Sequence, residues 1–381
     1  MPRVDITVDQ EKWYGQHGVL NNRRRAYGRA WELPARLKIT GSDESTVEQA
    51  VGLRFHGGVS ARTLDYAKSY RVYARNEYGR SHIPARELLG HDRDLDFKTV
   101  VFKNVFHTNF PDVQQDFNPF NHALALDIAD QIGALVPSHF LVDLFVNGEA
   151  QGIHLGLEHL SEKTVRNWLG RDDISVFTYK DENSERSRYY LDHVVASIRG
   201  AVGEQALEQM NRFFDLDNVM TTAILASYTA NFDFCQGVEI FDHLEEGPDN
   251  VKVTSINWDL DWAFLYISKG VVQIKGEHVG FPLIDPTYKG KFHDCPRTRM
   301  FSWVYQESPT FRKLFRDKLE ELLEKELSPE NVNRLLDHYA IVNDSHYSGS
   351  RSAAVSDLRQ YAQTKPGNLL KQLAELERKL P

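Results

Sequence analysis

Two apolar segments joined by Asn147-Gly148 define the first structural element of this chain. Residues 140–146 (FLVDLFV) and 152–158 (GIHLGLE) are rich in the aliphatic, aromatic and β-branched residues that favour strands. Asn-Gly between two such segments is the strongest short-range signal for a type I′ turn. The sequence therefore predicts a β-hairpin over residues 140–158, and the fold must contain a sheet that includes it.

Strand-type and helical patterns occupy different parts of the sequence. Alternation predicts strands at residues 51–55, 69–75, 95–101, 174–179, 236–242 and 251–257. Helical periodicity and Ser-Pro starts predict helices at 161–169 and 203–230, from Pro309, from Pro329, and two more over 352–379. The predicted fold class is α+β, with a strand-rich N-terminal part (1–160) and a mixed, then helical C-terminal part (161–381) that form one unit.

Charge and cysteine content limit the classes of function. A net charge of −9 over 381 residues argues against broad electrostatic binding to nucleic acid or to an anionic membrane surface. The two cysteines, Cys235 and Cys295, lack the spacing of a zinc site and fit a reducing compartment. The sequence contains no apolar leader and no run long enough to span a membrane. We therefore expect a cytoplasmic protein that binds neither nucleic acid nor membranes.

Two aspartates, Asp259 and Asp261, interrupt the otherwise apolar and aromatic run SINWDLDWAF (255–264). Carboxylates about 4 Å apart repel each other by roughly 1–4 kcal/mol at surface-like dielectric, before any cost of burial. On a strand both side chains point to one face, where a hard, oxygen-seeking cation such as Mg²⁺ relieves the repulsion. The alternative is that one aspartate caps a turn and the other pairs with an arginine.

A third acid, Asp233, lies upstream at the predicted end of a long helix. The predicted strand pair that follows it brings its two ends together, so Asp233 and Asp259 are expected to be neighbours. Gln236 adds an amide oxygen to this set. One acid that orients a hydroxyl, with an amide and a second acid that hold Mg²⁺, is the set of groups that phosphoryl transfer uses. The alternative makes Asp233 an ordinary turn residue at a helix C-terminus.

Groups suited to binding phosphate lie in the first part of the chain. Gly57, Gly58 and Ser60 lie in a turn between two predicted strands, where backbone N–H groups can cradle phosphate oxygens. Lys68 follows at the start of the next strand, within reach of that turn. Glu158 ends the hairpin in an apolar run and needs a cation, and a Lys–Glu ion pair fixes the phosphate-binding lysine of kinases. The simpler alternatives are an ordinary hairpin turn and a solvated edge lysine.

Four segments, in order, resemble the spore-coat CotH kinase family, a group of atypical protein kinases. The stretch LRFHGGVSARTLDYAKSYRVYAR resembles the family's R-G-x-S-S…P-K-K-S-Y-R segment, and LVDLFVNGEAQGIHLGLEHL resembles its Asn-Gly hairpin. NFDFCQGVEIF followed by INWDLDWAF resembles its N-x-D…W-D-x-D region, and PTFRKLFRDKLEELLEKELSPENV resembles its C-terminal helices. The resemblance implies an atypical protein-kinase-like fold, with a strand-rich N-terminal lobe and a mostly helical C-terminal lobe in one catalytic unit.

The resemblance also implies a role for each candidate residue. Lys68 would contact the phosphates of ATP, and Glu158 would position Lys68. Asp233 would orient the acceptor hydroxyl. Asp259 would hold Mg²⁺, or Mn²⁺ in its place, and Asp261 would assist or stabilise the loop.

The chain departs from the family pattern at several positions. The family's proline before the lysine is Ala67, and its second lysine is Ser69. The asparagine expected after the catalytic aspartate is replaced by Gln236 or Gly237, which changes the second metal position. Trp258 is expected to pack beside the acids, with lining of a nucleotide pocket as the alternative.

These features predict an ATP- and Mg²⁺-dependent phosphotransferase, a CotH-like kinase that acts on Ser or Thr hydroxyls of a protein. One alternative is a transferase on the same scaffold that moves AMP or phosphorylates a sugar or other small molecule. The other is a nucleotide-binding scaffold without turnover, which the missing asparagine favours.

Overall fold

A computed structural model of the chain divides into two compact units. The first comprises Met1–Gln114 and Pro137–Trp168, and the second comprises Gln115–Val136 and Leu169–Pro381. The structure describes all residues except 23–25, 27, 58–67, 92–95, 106–119, 179–184, 232–233, 237, 243–250, 265–279, 287–294, 347–352 and 381. It also leaves out the side chains of 186, 236, 239, 241–242, 343–346 and 353–354. The boundary at residue 160 between an N-terminal and a C-terminal part stays a prediction.

Seven strands of the first unit close into a barrel: Arg3–Val8 (β1), Leu33–Thr40 (β2), Thr46–His56 (β3), Ser69–Tyr73 (β4), Thr99–Asn104 (β5), His139–Val146 (β6) and Glu149–Glu158 (β7). Their order around the barrel is β1-β2-β3-β4-β5-β7-β6. Neighbours are antiparallel except β1 and β6, which run parallel and close the barrel. The helices of this unit are Gln10–Tyr14 (α1), Arg86–Leu89 (α2) and Glu162–Leu169 (α4), which ends at the unit's boundary.

Alternation along the strands builds the core of the barrel. On β1, Val4 and Ile6 are buried, whereas Arg3 and Asp5 hydrogen-bond to each other on the outer face. The inward side chains of β2 to β6 join the same cluster: Leu37, Ile39, Val51, Leu53, Tyr70, Val72, Val100, Phe102, Val142, Leu144 and Val146. Every second residue of a strand therefore faces this core, and the residues between them face outward.

The predicted hairpin is confirmed. Strands β6 and β7 pair in antiparallel register across Asn147 and Gly148, whose φ values of 51° and 80° fit a type I′ turn. The turn is also attached to β1, since the Val8 backbone N–H donates to Asn147 Oδ1 at 2.8 Å. Gly156 lies opposite Phe140, and a Cβ at Gly156 would come within 2.1 Å of the Phe140 ring. That close approach requires glycine here.

The predicted protein-kinase-like two-lobe fold is wrong. That fold has an open sheet in its N-terminal lobe, whereas β1–β7 form a closed mixed barrel. The physical reason is β1, whose two edges pair with β2 and with β6, so no free edge remains. Most of the described helices follow the barrel strands in the chain.

The second unit contains a small sheet and most of the helices. Strands Ile174–Phe177 (β8), Val238–Asp242 (β9) and Lys252–Ile256 (β10) form an antiparallel sheet in the order β10-β9-β8. The helices are Asn121–Gln131 (α3), Glu185–Tyr189 (α5), Ala196–Gly200 (α6), Glu204–Phe213 (α7), Leu216–Tyr228 (α8), Pro296–Glu307 (α9), Pro309–Glu324 (α10), Pro329–His346 (α11) and Ala353–Glu377 (α12). A π-helical segment, Tyr190–Val195, joins α5 to α6. Across the described residues, no helix combines the length and apolar character that crossing a membrane requires.

One carboxylate on the barrel's outer face binds two arginines. Glu32, whose side chain is only 2% exposed, accepts hydrogen bonds from Arg54 at 2.8 Å and from Arg75 at 2.9 Å. The Tyr78 hydroxyl also donates to it at 3.1 Å. Burial alone raises the pKa of Glu32, but the hydrogen bonds and charges of Arg75 and Arg54 outweigh burial and lower that pKa below its ordinary value of 4.5.

We expect Glu32→Gln to lower the free energy of unfolding by about 2 kcal/mol at neutral pH, because Arg54 and Arg75 lose the carboxylate that they share but are exposed enough to rehydrate. A lowered native pKa stabilises the fold above the unfolded-state pKa, and this stabilisation is lost as pH falls through the native value. The difference between wild type and variant should therefore shrink below pH 4.5. Urea unfolding across this pH range measures it.

Glu48→Gln is the matched control, because Glu48 pairs with Arg36 at an exposed position where an ion pair contributes about 0–1 kcal/mol. Equal destabilisation by the two variants would contradict the assignment of Glu32 as a buried ion-pair centre.

Candidate functional site

The acidic segment follows β10 and bends sharply at Asp259. Strand β10 ends at Ile256, so neither acid lies on this strand. Asp259 instead has left-handed backbone angles, φ 61° and ψ 52°, and begins a 3₁₀ turn over Leu260–Trp262 that contains Asp261. Aspartate tolerates this conformation better than most residues, yet it still costs energy that the surrounding structure must offset. Such strained positions are concentrated at functional sites.

Two further non-glycine residues have positive φ, one close to Asp259 in the sequence and one at the end of α8. Phe264, three residues after Asp261, has φ 56°, and Ala230, just beyond α8, has φ 50°. The backbone N–H of Phe264 donates to the Thr229 carbonyl at 2.8 Å, which ties the acidic segment to the end of α8. The residues after α8 are those that lead into Asp233.

Asp233 itself lies outside the described residues, as do Gly58, Ser60 and the side chain of Gln236. The predicted hairpin after Asp233 is confirmed, since Val238 of β9 lies opposite Ile256 of β10. This register brings the start of β9 next to the end of β10. That Asp233 and Asp259 lie next to each other stays a prediction.

The described neighbours of both aspartates line one small cleft in the second unit. Asn231 and Phe234 flank Asp233 in the sequence, and Trp258 and Leu260 flank Asp259. All four line this cleft together with Arg297. Two acid-bearing segments that are distant in sequence therefore meet at one place, and Trp258 lies at the cleft rather than in a separate core.

Two contacts fix the turn that follows Asp233. Cys235, in the 3₁₀ turn Phe234–Gln236, forms a disulfide with Cys295, the residue that caps the N-terminus of α9. The buried Arg297 donates to the Phe234 carbonyl at 3.4 Å. Because disulfides persist mainly in oxidising compartments, this bond argues against the reducing compartment expected from the cysteine count. A cytoplasmic location stays a prediction.

Oxygen donors make the acidic segment suitable for a hard cation. Asp259 and Asp261 supply carboxylates, the ligands that Mg²⁺ prefers, and the predicted partners Asp233 and Gln236 would add oxygens of the same kind. Within the described part of the chain, no group of three His, Cys, Asp or Glu residues has the arrangement of a metal site. The donor chemistry fits Mg²⁺, and the ligand set stays a prediction.

The remaining candidates belong to the barrel unit. Lys68 directly precedes β4, and its carbonyl accepts a hydrogen bond from His154 Nε2 on β7 at 2.8 Å. Its Nζ lies 5.9 Å from the centroid of the Tyr14 ring. Gly57 follows β3 with φ 118°, a conformation that favours glycine. Lys68 is thus held at one end of the barrel by its main chain and by an aromatic ring.

Glu158 ends β7 and is 6% exposed. It pairs with Val100 of β5, whereas His154, which contacts Lys68, pairs with Asn104. Four residues along a strand correspond to roughly 13 Å, so a direct ion pair requires both side chains of Lys68 and Glu158 to extend along the barrel. The Lys68–Glu158 ion pair stays a prediction.

Sequence reasoning missed four residues that contact the candidate site residues or the segments that carry them. His154 belongs to no recognised motif, yet its Nε2 donates to the main-chain carbonyl of Lys68. Tyr14 and Arg297 carry no motif, and their contacts arise from chain segments far away in sequence. The disulfide partner of Cys235 is likewise non-local, because two cysteines without a spacing pattern do not reveal a bond.

Comparison with known proteins identifies the family of the chain. No curated protein matches the chain. The profile of the CotH kinase protein family matches residues 53–353, a range that contains all the candidate residues and confirms the resemblance seen in the four sequence segments. The chain belongs to the CotH kinase family.

Proposed function

We propose that this chain is an ATP- and Mg²⁺-dependent phosphotransferase that phosphorylates Ser or Thr hydroxyls of a protein. Membership of the CotH kinase family supports kinase chemistry at the level of the family. The observation that carries the proposal is the common cleft, where the flanking residues of Asp233 and Asp259 meet. A phosphotransferase needs this convergence of one acid for the acceptor and one for the cation.

Each residue has a defined role in this proposal. Asp233 accepts a hydrogen bond from the acceptor hydroxyl and takes its proton as the new O–P bond forms at the γ-phosphorus. The bond from the γ-phosphorus to the bridging oxygen breaks, and ADP leaves. Lys68 binds phosphate oxygens, Glu158 positions Lys68, and the turn that contains Gly57, Gly58 and Ser60 adds backbone N–H donors. Lysine and backbone N–H donors stabilise the charge on these oxygens.

Asp259 would hold Mg²⁺, with Asp261 and Gln236 as further ligands. When bound, the ion offsets the negative charge of the phosphates. The αL conformation of Asp259 turns the chain directly after Trp258, so that consecutive side chains do not follow strand alternation. Trp258 at the cleft then offers an apolar surface to the nucleotide.

Transfer of label from ATP tests the proposal. The protein is incubated with Mg²⁺ and either γ-labelled or α-labelled ATP, with casein and the chain itself as acceptors. The proposal expects covalent label only from the γ position, and none in the presence of a chelator. Covalent α-label would instead establish AMP transfer, and bound ATP without any transfer would establish a nucleotide-binding scaffold.

A further inference from the structure

The outer face of β3 and β4 carries an unusual group of cations. Tyr70 and Val72 of β4 belong to the core cluster, so Arg71 faces outward. The register of β3 and β4 places Arg54 directly opposite Arg71. Like charges at directly opposed positions destabilise a sheet unless something offsets them. This arrangement therefore requires a compensating negative charge.

Glu32, the carboxylate that binds Arg54 and Arg75, does not hydrogen-bond to Arg71. Glu32 accepts hydrogen bonds from Arg54 at 2.8 Å and Arg75 at 2.9 Å, and both guanidinium groups lie over the Tyr73 ring, 4.5 and 4.7 Å from its centroid. Arg71 contacts only neutral groups among the residues that the structure describes. Its Nη2 lies 2.7 Å from His56 Nδ1, and its Nη1 lies 3.4 Å from the Tyr73 hydroxyl.

The side chain of Arg71 is incompletely satisfied. Its Nε is buried and has no hydrogen-bond partner in the described part of the chain. A guanidinium can only donate hydrogen bonds, so His56 Nδ1 must accept and the ring proton of His56 lies on Nε2. His56 is therefore a neutral donor that adds no negative charge.

A second histidine near Arg71 is also neutral. Burial, and then the charge of Arg71, lower the pKa of His159 to about 4. Neither histidine offsets the guanidinium at neutral pH. Partly buried cations of this kind are normally paired, and an arginine fork is suited to an oxyanion.

We infer that Arg71, with His56 and Tyr73, forms an oxyanion subsite on the outer face of β3 and β4 that takes a phosphate group. Arg71 and His56 donate to the phosphate oxygens, and Tyr73 orients the guanidinium. Arg71 contacts His56 and Tyr73, whereas the Nζ of Lys68, which precedes β4, lies at the Tyr14 ring, so the subsite has different neighbours from Lys68.

Titration with inorganic phosphate tests this subsite without requiring turnover, so its outcome is independent of the proposed activity. Isothermal titration calorimetry compares wild type, Arg71→Gln and Arg71→Lys, with Arg36→Gln as the control because Arg36 is an exposed, paired arginine on another part of the barrel. We expect Arg71→Gln to weaken phosphate binding about tenfold or more. Arg36→Gln should leave binding unchanged, and Arg71→Lys should bind with intermediate affinity because it keeps the charge but loses the fork.

The His159 ring provides a second readout that a general loss of stability does not mimic. Phosphate should raise the pKa of His159, measured by NMR, in wild type but not in Arg71→Gln. Displacement of phosphate by ADP would identify the oxyanion as part of a nucleotide, and simultaneous binding of both would identify a free phosphate. Absence of phosphate binding to the wild type, or equal binding by a folded Arg71→Gln, would overturn the inference.

Discussion

Replacing Asp259 with asparagine is expected to reduce phosphoryl transfer by roughly 10²–10³-fold with little change in stability. Asparagine has nearly the same shape as aspartate and also tolerates the left-handed conformation, φ 61°, that Asp259 adopts. The substitution therefore removes the negative charge and leaves the bend intact. A neutral amide is a much weaker ligand for Mg²⁺ than a carboxylate. Initial rates of γ-label transfer at several Mg²⁺ concentrations measure the effect.

Asp217→Asn is the matched control for this prediction. Asp217 lies in the first turn of α8 and is exposed, with Lys318 as its ion-pair partner. Its replacement should leave the rate unchanged within about twofold, because an exposed ion pair contributes little. Full activity of Asp259→Asn, with an unchanged dependence on Mg²⁺, would remove Asp259 from the metal site.

Loss of the disulfide between Cys235 and Cys295 is expected to cause the largest change in stability. The bond joins residues 60 positions apart, and closing a loop of that length stabilises a fold by about 4 kcal/mol in the chain-entropy treatment. For a unit of this size, Cys295→Ala should lower Tm by about 10 °C. The variant should also lose transferase activity below its Tm, because the bond fixes the turn that follows Asp233.

Reducing the disulfide of the wild type controls for the change of side chain in Cys295→Ala. Dithiothreitol should lower the Tm of the wild type towards that of Cys295→Ala and should leave the variant unaffected. Thiol titration of unfolded, non-reduced protein should find no free thiol in the wild type. Two free thiols, together with a Tm that does not respond to reductant, would show that the bond does not form in solution.

Several elements were predicted correctly from local sequence signals. Asn147-Gly148 predicted the β6–β7 hairpin because a two-residue turn requires only its own φ values. Ser308 before Pro309 predicted the start of α10, and the structure shows Ser308 Oγ accepting from the Phe311 backbone N–H at 3.0 Å. The predicted strand at 174–179 and helix at 161–169 are present as β8 and α4. Each of these elements depends on residues close together in the sequence.

Helix boundaries were predicted less well. The single helix expected at 203–230 is two helices, because the chain breaks before Asp215, whose side chain caps α8 by accepting from the Asp217 backbone N–H. The two helices expected over 352–379 are instead the single helix α12, which continues through Pro366. In the first case a capping aspartate was overlooked, and in the second the helix continues through a proline, a residue that often interrupts helices.

Barrel closure was not predictable because it depends on non-local pairing. Val4, Ile6 and Val8 alternate as a strand does, but nothing near them indicates that β1 pairs with β6, about 140 residues later. The same limit applies to the candidate site. The acidic pair was visible in the sequence, whereas the αL bend at Asp259, the disulfide and the support of Lys68 by His154 arise from tertiary contacts.

The position of the metal ion is the most direct test of the whole account. A crystal structure with a non-hydrolysable ATP analogue and Mn²⁺ locates the ion by anomalous scattering. We expect the ion to be bound by the carboxylate of Asp259 and by the triphosphate, with Lys68 Nζ on a phosphate oxygen and Asp233 facing the terminal phosphate. An ion and nucleotide bound elsewhere, with Asp259 and Lys68 contacting neither, would contradict it.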